Sequence, residues 1–566
     1  MKNITLKLAI SLLVVSTLFS CKDFLNKNPL SAPSKDNFYS NDAEVNMGVV
    51  GIYNRLLLST DYGLSYVAAL DHCTDVGWYR MANASLQTIG NGSHDAGVGF
   101  AMAFWRDAFS MIGRCNLLLD NMPKHIDNIT PAVYERADAE ARFFRAYNYA
   151  LLSELYGDVP LIKTTLPLSQ SSVSRNPKSE VVSFIVAELE AIAGKLPRTV
   201  AAGERGRINR WTVYALLSRV ALYNGLWERS AAAASEVMKS GDHALDPSYA
   251  KIFTYDGVNS KETLFAIQYG KSQATWQALG SFGTRMVSAA AIYIPVQATV
   301  DSYECTDGQT IDKSPLYNPA KPFENRDPRL AANIALPGSE YMNYQFETHR
   351  DSVKCLNYTT GKLVDNIEAT HAYASFSGYN WRKYTDKKDL TSVTQSELQF
   401  ILFRYAEVLL NYAEAKIEGG TIDQSVLDAI NSVRARAYGV DIASAGYPKI
   451  TTMNKEELRN VVRRERKSEL VLEGFRLFDI RRWKIAEKVM PGALYGRVKA
   501  SGTLGRLSNA PVVSADGTPS YANVTNRADM FVIEQRQFNA GRDYLWPIPK
   551  VEVETNPNLL PNNPGY

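Results

Sequence analysis

Residues 454–483, NKEELRNVVRRERKSELVLEGFRLFDIRRW, combine more helical order with more charge than any other stretch of the chain. Asn454 can cap a helix, and Glu457 sits three residues on, where a capping-box acid belongs. Leu458, Val462, Glu465, Glu469 and Leu472 then recur in steps of three and four, so one helical face carries two carboxylates in line with apolar residues. Gly474 interrupts, and Phe475, Leu477, Phe478, Ile480 and Trp483 begin a second apolar segment among Arg463, Arg464, Arg466, Arg476, Arg481 and Arg482. Two chemistries compete for Glu465 and Glu469. Paired acids could be a general acid and base, as in glycoside hydrolysis. Alternatively they are partly buried acids held by arginines, joining two helices. The spacing favours the second reading. The two lie one turn apart on one element, whereas glycosidase carboxylates flank a substrate from different elements.

The chain of 566 residues is long enough for a large core, and 45% apolar with 21% charged residues is a globular balance. A net charge of +3 does not suggest nucleic acid as a partner. Thirty-one tyrosines and eight tryptophans suit either a core or sugar-binding surfaces, where rings stack on apolar sugar faces. The cysteines (Cys21, Cys73, Cys115, Cys305 and Cys355) form no CxxC pair, and the histidines are scattered. HExxH, Walker-loop and GxSxG motifs are absent. Asp71, Asp75 and Asp95 lack EF-hand spacing. No catalytic residue, metal or cofactor is therefore assigned.

The N-terminus reads as an export signal. Lys2 and Lys7 precede an apolar run from Leu8 to Phe19, too short for a comfortable membrane span, which closes on Leu18-Phe19-Ser20-Cys21. This closing resembles a bacterial lipobox. The resemblance implies removal of residues 1–20 and lipidation of Cys21, with several acyl chains giving stable anchoring. Residues 21–45 then form a lipidated tether and docking segment.

Helical periodicity runs through 43–58, 104–121, 131–156 and 178–195. Residues 71–99 lose that period, are rich in Gly, Asn, Ser and Asp, and read as a long loop. Arg210 to Gly225 and Glu228 to Lys239 form a helical hairpin around Trp227, and Ile401 to Glu418 with Ile422 to Ala437 form another, bounded by Gly419-Gly420. Small residues facing bulky ones across such hairpins resemble degenerate tetratricopeptide units. Residues 241–400 read as loops with a few short helices and strands. The end, NPNLLPNNPGY, is an ordered strap over the core. The expected organisation is a helical scaffold over 46–240 and a second region over 241–566, the latter a loop-rich lobe plus helices at 400–490.

In chain order, the motifs Asp23-Phe24-Leu25, Ala139-Glu140-Ala141-Arg142-Phe143-Phe144-Arg145-Ala146, Leu155-Tyr156-Gly157-Asp158-Val159-Pro160-Leu161 and Asn325-Arg326-Asp327-Pro328-Arg329 lie behind the lipobox. Arg404 to Ala415 (RYAEVLLNYAEA), Arg463-Arg464-Glu465-Arg466, Glu473-Gly474-Phe475-Arg476, Trp546-Pro547-Ile548-Pro549 and Asn563-Pro564-Gly565-Tyr566 follow. Each is a weak signal; together, in this order, the chain resembles the RagB/SusD nutrient-uptake lipoproteins of the outer membrane. The resemblance implies a mainly α SusD-like fold with tetratricopeptide-like hairpins and a loop-rich lobe with a few short strands. It implies a non-enzymatic lipoprotein on the outer face of the outer membrane, partnered by a SusC-like TonB-dependent β-barrel. Its ligand would be an oligosaccharide or, in one branch, a peptide; a lipoprotein glycosidase is the remaining alternative.

In the glycan-binding members an arc of rings matches a curved oligosaccharide. The early loop here offers Trp78, Tyr79, Arg80 and Asn83, and the irregular middle offers Trp276 and Tyr293. Trp78 leads, because a tryptophan in a polar, glycine-containing loop has little apolar company in sequence. Trp381, in GYNWRKY, reads as structural.

Overall fold

A computed structural model describes residues 38–57, 64–81 and 85–566. Cys21, Asn83 and the export signal therefore lie outside the described residues.

The helical layer opens with α1 (Asp42–Tyr53), started by Asn41, whose side chain accepts from Glu44 N. Then come α2 (Gly99–Asn121), α3 (Pro131–Tyr156), α4 (Lys178–Ile192), α5 (Arg210–Tyr223) and α6 (Trp227–Lys239). The C-terminal helices are α7 (Tyr405–Gly419), α8 (Gln424–Ala437), α9 (Lys455–Leu470) and α10 (Arg476–Arg482). Both expected hairpins form, and they join: α5 packs on α6, α6 on α7, and α7 on α8 and α9. The alanine-rich α6 buries Ala233 and Ala234, which lets α5 and α7 approach closely. Earlier in the chain, α3 packs between α2 and α4.

Strands are short and paired. They include β1 (Gly77–Tyr79), β2 (Thr263–Ile267), β3 (Tyr293–Pro295), β4 (Phe400–Arg404), β5 (Gly492–Val498) and β6 (Met530–Arg536). Each joins a partner antiparallel: β1 with β3, β2 with β4, and β5 with β6. Two sequence readings are corrected here. The second hairpin's first helix begins at Tyr405, because Phe400 to Arg404 are all buried and are drawn into the pair with β2. Residues 71–99 are not one loop, since they contain β1 and a helix at Ser85–Asn91.

The charged stretch forms its helix, with two corrections: Glu457 completes no capping box, because its carboxylate accepts from Thr452 Oγ1, and the helix ends at Leu470, so Leu472, at a φ of +64°, lies beyond the stripe. The Asn454 side chain accepts from Glu456 N and Glu457 N, capping α9. Glu465 and Glu469 are both buried. Arg329 Nη1 donates to Glu465 Oε1 at 2.5 Å and to Glu469 Oε2 at 2.9 Å, tying both acids to one guanidinium. Arg404 adds bonds to Glu469, Glu473 and Glu262, and Arg434 bonds Glu465 at 2.9 Å. Gly474 links α9 to α10 at a φ of +83°, and a Cβ there would stand 2.1 Å from Val67 O. Only glycine fits that approach. The buried Asp71 carboxylate then receives Gly474 N at 3.2 Å and Arg476 N at 3.1 Å, fastening the early segment to the start of α10.

The C-terminal strap is ordered. Trp546 N donates to Leu155 O, and the Asn563 side-chain amide donates to Tyr156 O and Trp546 O, at 2.6–2.7 Å.

Candidate functional site

The β1–β3 pair decides the fate of the expected ligand residues. Its register sets Trp78 opposite Ile294 and Tyr79 opposite Tyr293. The tyrosine rings lie 4.8 Å apart, so the fold does bring Tyr79 and Tyr293 together, but inside the protein. Tyr293 is 0%, Trp276 1%, and Trp78 and Tyr79 each 5% exposed. A ring so covered has no face to offer a sugar. The expectation that these four form a stacking surface is therefore corrected. Trp78 packs among Ala291, Ile294, Val296 and Leu494, and tilts against Phe376 at 5.7 Å. Trp276 donates its indole N–H to Leu398 O at 2.7 Å amid Tyr269, Phe282, Tyr384 and Phe400. Trp381 is structural, as its sequence surroundings indicated. It is fully buried and donates to His72 Nε2 at 3.0 Å, while burial drives the His72 pKa down to about 3.

Arg80 leads outward from β1. Its backbone N–H still pairs with Ile292 O, while its guanidinium reaches the surface segment 371–378. There Arg80 Nη1 donates to Tyr373 O at 2.6 Å, and its guanidinium carbon lies 5.5 Å from the Tyr373 ring centroid and 5.8 Å from that of Phe376. Tyr373 is 60% exposed. Phe376 is half-buried, and Phe531, 41% exposed, stands 6.3 Å from it on β6. Thus the rings on the surface here are Tyr373, Phe376 and Phe531, and buried Trp78 is the floor beneath them.

This segment is fixed from below. Buried Glu368 accepts from Thr284 Oγ1 at 2.7 Å, Arg285 N at 2.6 Å and Ser375 N at 2.9 Å. Lys499 Nζ donates to Ser375 O at 2.6 Å and lies 4.8 Å from the Phe531 ring centroid. Burial, reinforced by Arg350 and Arg497 and opposed by Glu368, brings the Lys499 pKa down to about 7. The sign follows from linkage. Between pH 7 and the ordinary lysine pKa the unfolded chain holds the extra proton, so this group makes stability rise with pH across that window. Lys499→Met is expected to flatten the rise of the thermal midpoint between pH 7 and 10 relative to wild type. Parallel profiles for the two proteins would contradict that role.

Sequence reasoning missed Tyr373, Phe376 and Phe531. The signal existed: HAYASFSGY places three rings, Tyr373, Phe376 and Tyr379, among small residues, the same context that singled out Trp78, although Tyr379 is buried. Asp75, considered for calcium, is held by Arg476 at 2.8 Å and Lys467 at 3.2 Å. Among the described residues no cluster of His, Cys, Asp and Glu could hold a metal ion. Cys73, Cys115, Cys305 and Cys355 are buried free thiols.

Comparison with known proteins gives one consistent answer. The model described as the SusD family matches residues 258–566, and one described as "Starch-binding associating with outer membrane" matches residues 23–222. SusD-like protein P2 of Formosa agariphila is 26% identical over 576 residues, covering 98% of each chain. The crystal structure of a SusD-like carbohydrate binding protein from Bacteroides fragilis is 27% identical, covers 92% of this chain and 100% of that one, and superposes with a TM-score of 0.78. A laminarin binding SusD-like protein, 20% identical with 93% and 100% coverage and a TM-score of 0.68, shares the fold.

Proposed function

This chain belongs to the SusD family, and on that ground we propose that it is a lipid-anchored outer-membrane protein that captures oligosaccharides at the cell surface. It would pass them to a SusC-like TonB-dependent β-barrel without covalent chemistry. The observation that carries the reading is the surface formed by Tyr373, Phe376 and Phe531 beside Arg80. Rings supply flat apolar faces on which the apolar faces of sugars stack, and the Arg80 guanidinium holds the Tyr373 backbone beneath them. Glu368 and Lys499 hold the segment in place before any ligand arrives, which reduces the entropy lost on binding. The carbohydrate-binding relative from Bacteroides fragilis supports the ligand class.

Among the described residues no helix is long and apolar enough to cross a membrane. Attachment is assigned to the lipid on Cys21. The description "associating with outer membrane" for residues 23–222 supports that location. The carboxylates that first suggested hydrolysis, Glu465 and Glu469, are closed off by arginines.

The test is a glycan array followed by calorimetry on residues 22–566, the chain without its export signal and lipidated cysteine. The double variant Tyr373→Ala/Phe531→Ala is expected to weaken oligosaccharide binding roughly 30-fold, taking about 1 kcal/mol per stacked ring. Wild-type affinity in that variant would show that these rings are not the platform. Cleaved products after prolonged incubation would overturn the non-enzymatic reading.

A further inference from the structure

A groove of about 750 Å³ has none of Arg80, Tyr373, Phe376 and Phe531 in its lining, though Leu494, which packs on Trp78, reaches its wall. One wall is α9, which presents Glu456, Asn460 and Arg463; the opposite wall is the hairpin of Val512–Val513 and Pro519–Ser520. Arg464 steadies that hairpin by donating to Ala515 O at 2.5 Å.

Four arginines project from α9, and three are spoken for. Arg459 makes two 2.7 Å bonds to Glu418, Arg464 bonds Glu304 at 2.8 Å, and Arg466 bonds Asp479 at 2.9 Å. Arg463 has no such partner among the described residues. The neighbouring acids are taken: Glu414 by Arg482 at 2.6 and 2.7 Å, and Glu418 by Arg459. Arg463 instead stacks over Trp483, 4.9 Å from the ring centroid, and its buried Nε meets no acceptor. A half-buried guanidinium seated over an indole, lining a groove and without an acid of its own, can donate to a planar or tetrahedral oxyanion. The groove also holds the buried Thr518 hydroxyl, which has no partner, and the exposed cations Lys488 and Arg527. Asp75 is ion-paired with Arg476 and Lys467, whereas Asp516, which accepts from the Ser514 hydroxyl and Thr518 N, and exposed Glu456, seven residues from Arg463, remain anionic, so recognition of an anion here falls to Arg463 itself and not to a net positive field.

We propose that this groove is a second ligand site, which takes the carboxylate or sulfate ester of an acidic saccharide through Arg463. The inference rests on the glycan-capture reading and adds a ligand class to it. Two sites on one chain would engage one oligosaccharide or two, and the acidic group would select among glycans that the rings alone accept.

The test is calorimetry on residues 22–566 with tetragalacturonate, a κ-carrageenan tetrasaccharide, neutral maltotetraose and tetraglutamate, at 50 mM and 500 mM NaCl. The wild type is expected to bind the carboxylate or the sulfate probe, more weakly at high salt. The two saccharide probes separate the two anions. Arg463→Gln is expected to weaken that binding at least tenfold with an unchanged thermal midpoint, and Arg463→Lys to recover part of it. Unchanged acidic-probe binding in Arg463→Gln overturns the proposal. So does binding of tetraglutamate with neither acidic saccharide. If maltotetraose alone binds, and does so through Tyr373 and Phe531, glycan capture stands and the acidic site falls. If no saccharide binds, both fall.

Discussion

Glu469→Ala is expected to destabilise the protein by about 3–5 kcal/mol, the range for removing one partner of a buried ion pair. Glu469 is 0% exposed. One carboxylate oxygen accepts from Arg404 and Arg436, and the other from Arg329 at 2.9 Å. Burial alone would raise its pKa; the guanidinium groups of Arg436, Arg404 and Arg329 outweigh burial and hold it well below the carboxylate range. Its stabilising charge is thus present above the ordinary glutamate pKa and is lost as the pH falls through the depressed value. Alanine would leave three guanidinium groups crowded without their shared acid. Those groups tie together β4, α8 and the Asp327–Arg329 turn, so the loss would be felt through the C-terminal half. Urea denaturation of wild type and variant measures it. Because the residue lies in the core, ligand affinity of the folded fraction should stay unchanged. A denaturation midpoint matching wild type would mean that the acid does not lock the helices.

Trp276→Ala is expected to cost about 3–5 kcal/mol, the range for deleting a buried aromatic side chain. It should leave oligosaccharide affinity at the wild-type level. Trp276 is one of the rings that the sequence offers to a ligand from the irregular middle, and its burial places it in the interior. The indole fills a space between Tyr269, Phe282, Tyr384 and Phe400, and its N–H satisfies Leu398 O. Removal opens a cavity and orphans a carbonyl. Thermal melts and calorimetry on the same preparation decide the matter. A stable variant that had lost its ligand would restore Trp276 to the binding site and refute the interior assignment.

The sequence and the structure agree where the physics is local. The stripe of α9 and its Asn454 cap are set by residues within a few turns of each other, and the helix forms where the spacing placed it. Pro131 and Gly157 bound α3 as their fixed and permissive backbones require. Glu465 and Glu469 could be read as counter-ions because their own helix put them on its apolar face. The strand at Phe400–Arg404 was hidden because an apolar run fits helix or strand equally until its partner, Thr263–Ile267, is known.

The proposed ligand surface was not legible for a related reason. Whether a ring is exposed depends on what covers it, and the cover comes from distant chain. Trp78 looks solitary among Asp, Gly and Arg, yet Leu494 and Phe376 close over it. Tyr373 has the same polar company and stays 60% exposed, with only the Arg80 guanidinium and the His371 ring beside it among the contacts of the described residues. The sequence by itself determined the family, the helical scaffold and the buried charge lock, since periodicity, caps and ordered motifs are properties of neighbours. Only the tertiary structure decided which aromatics face solvent and which arginine of α9 lacks an acid. Both depend on pairings between segments far apart in the chain.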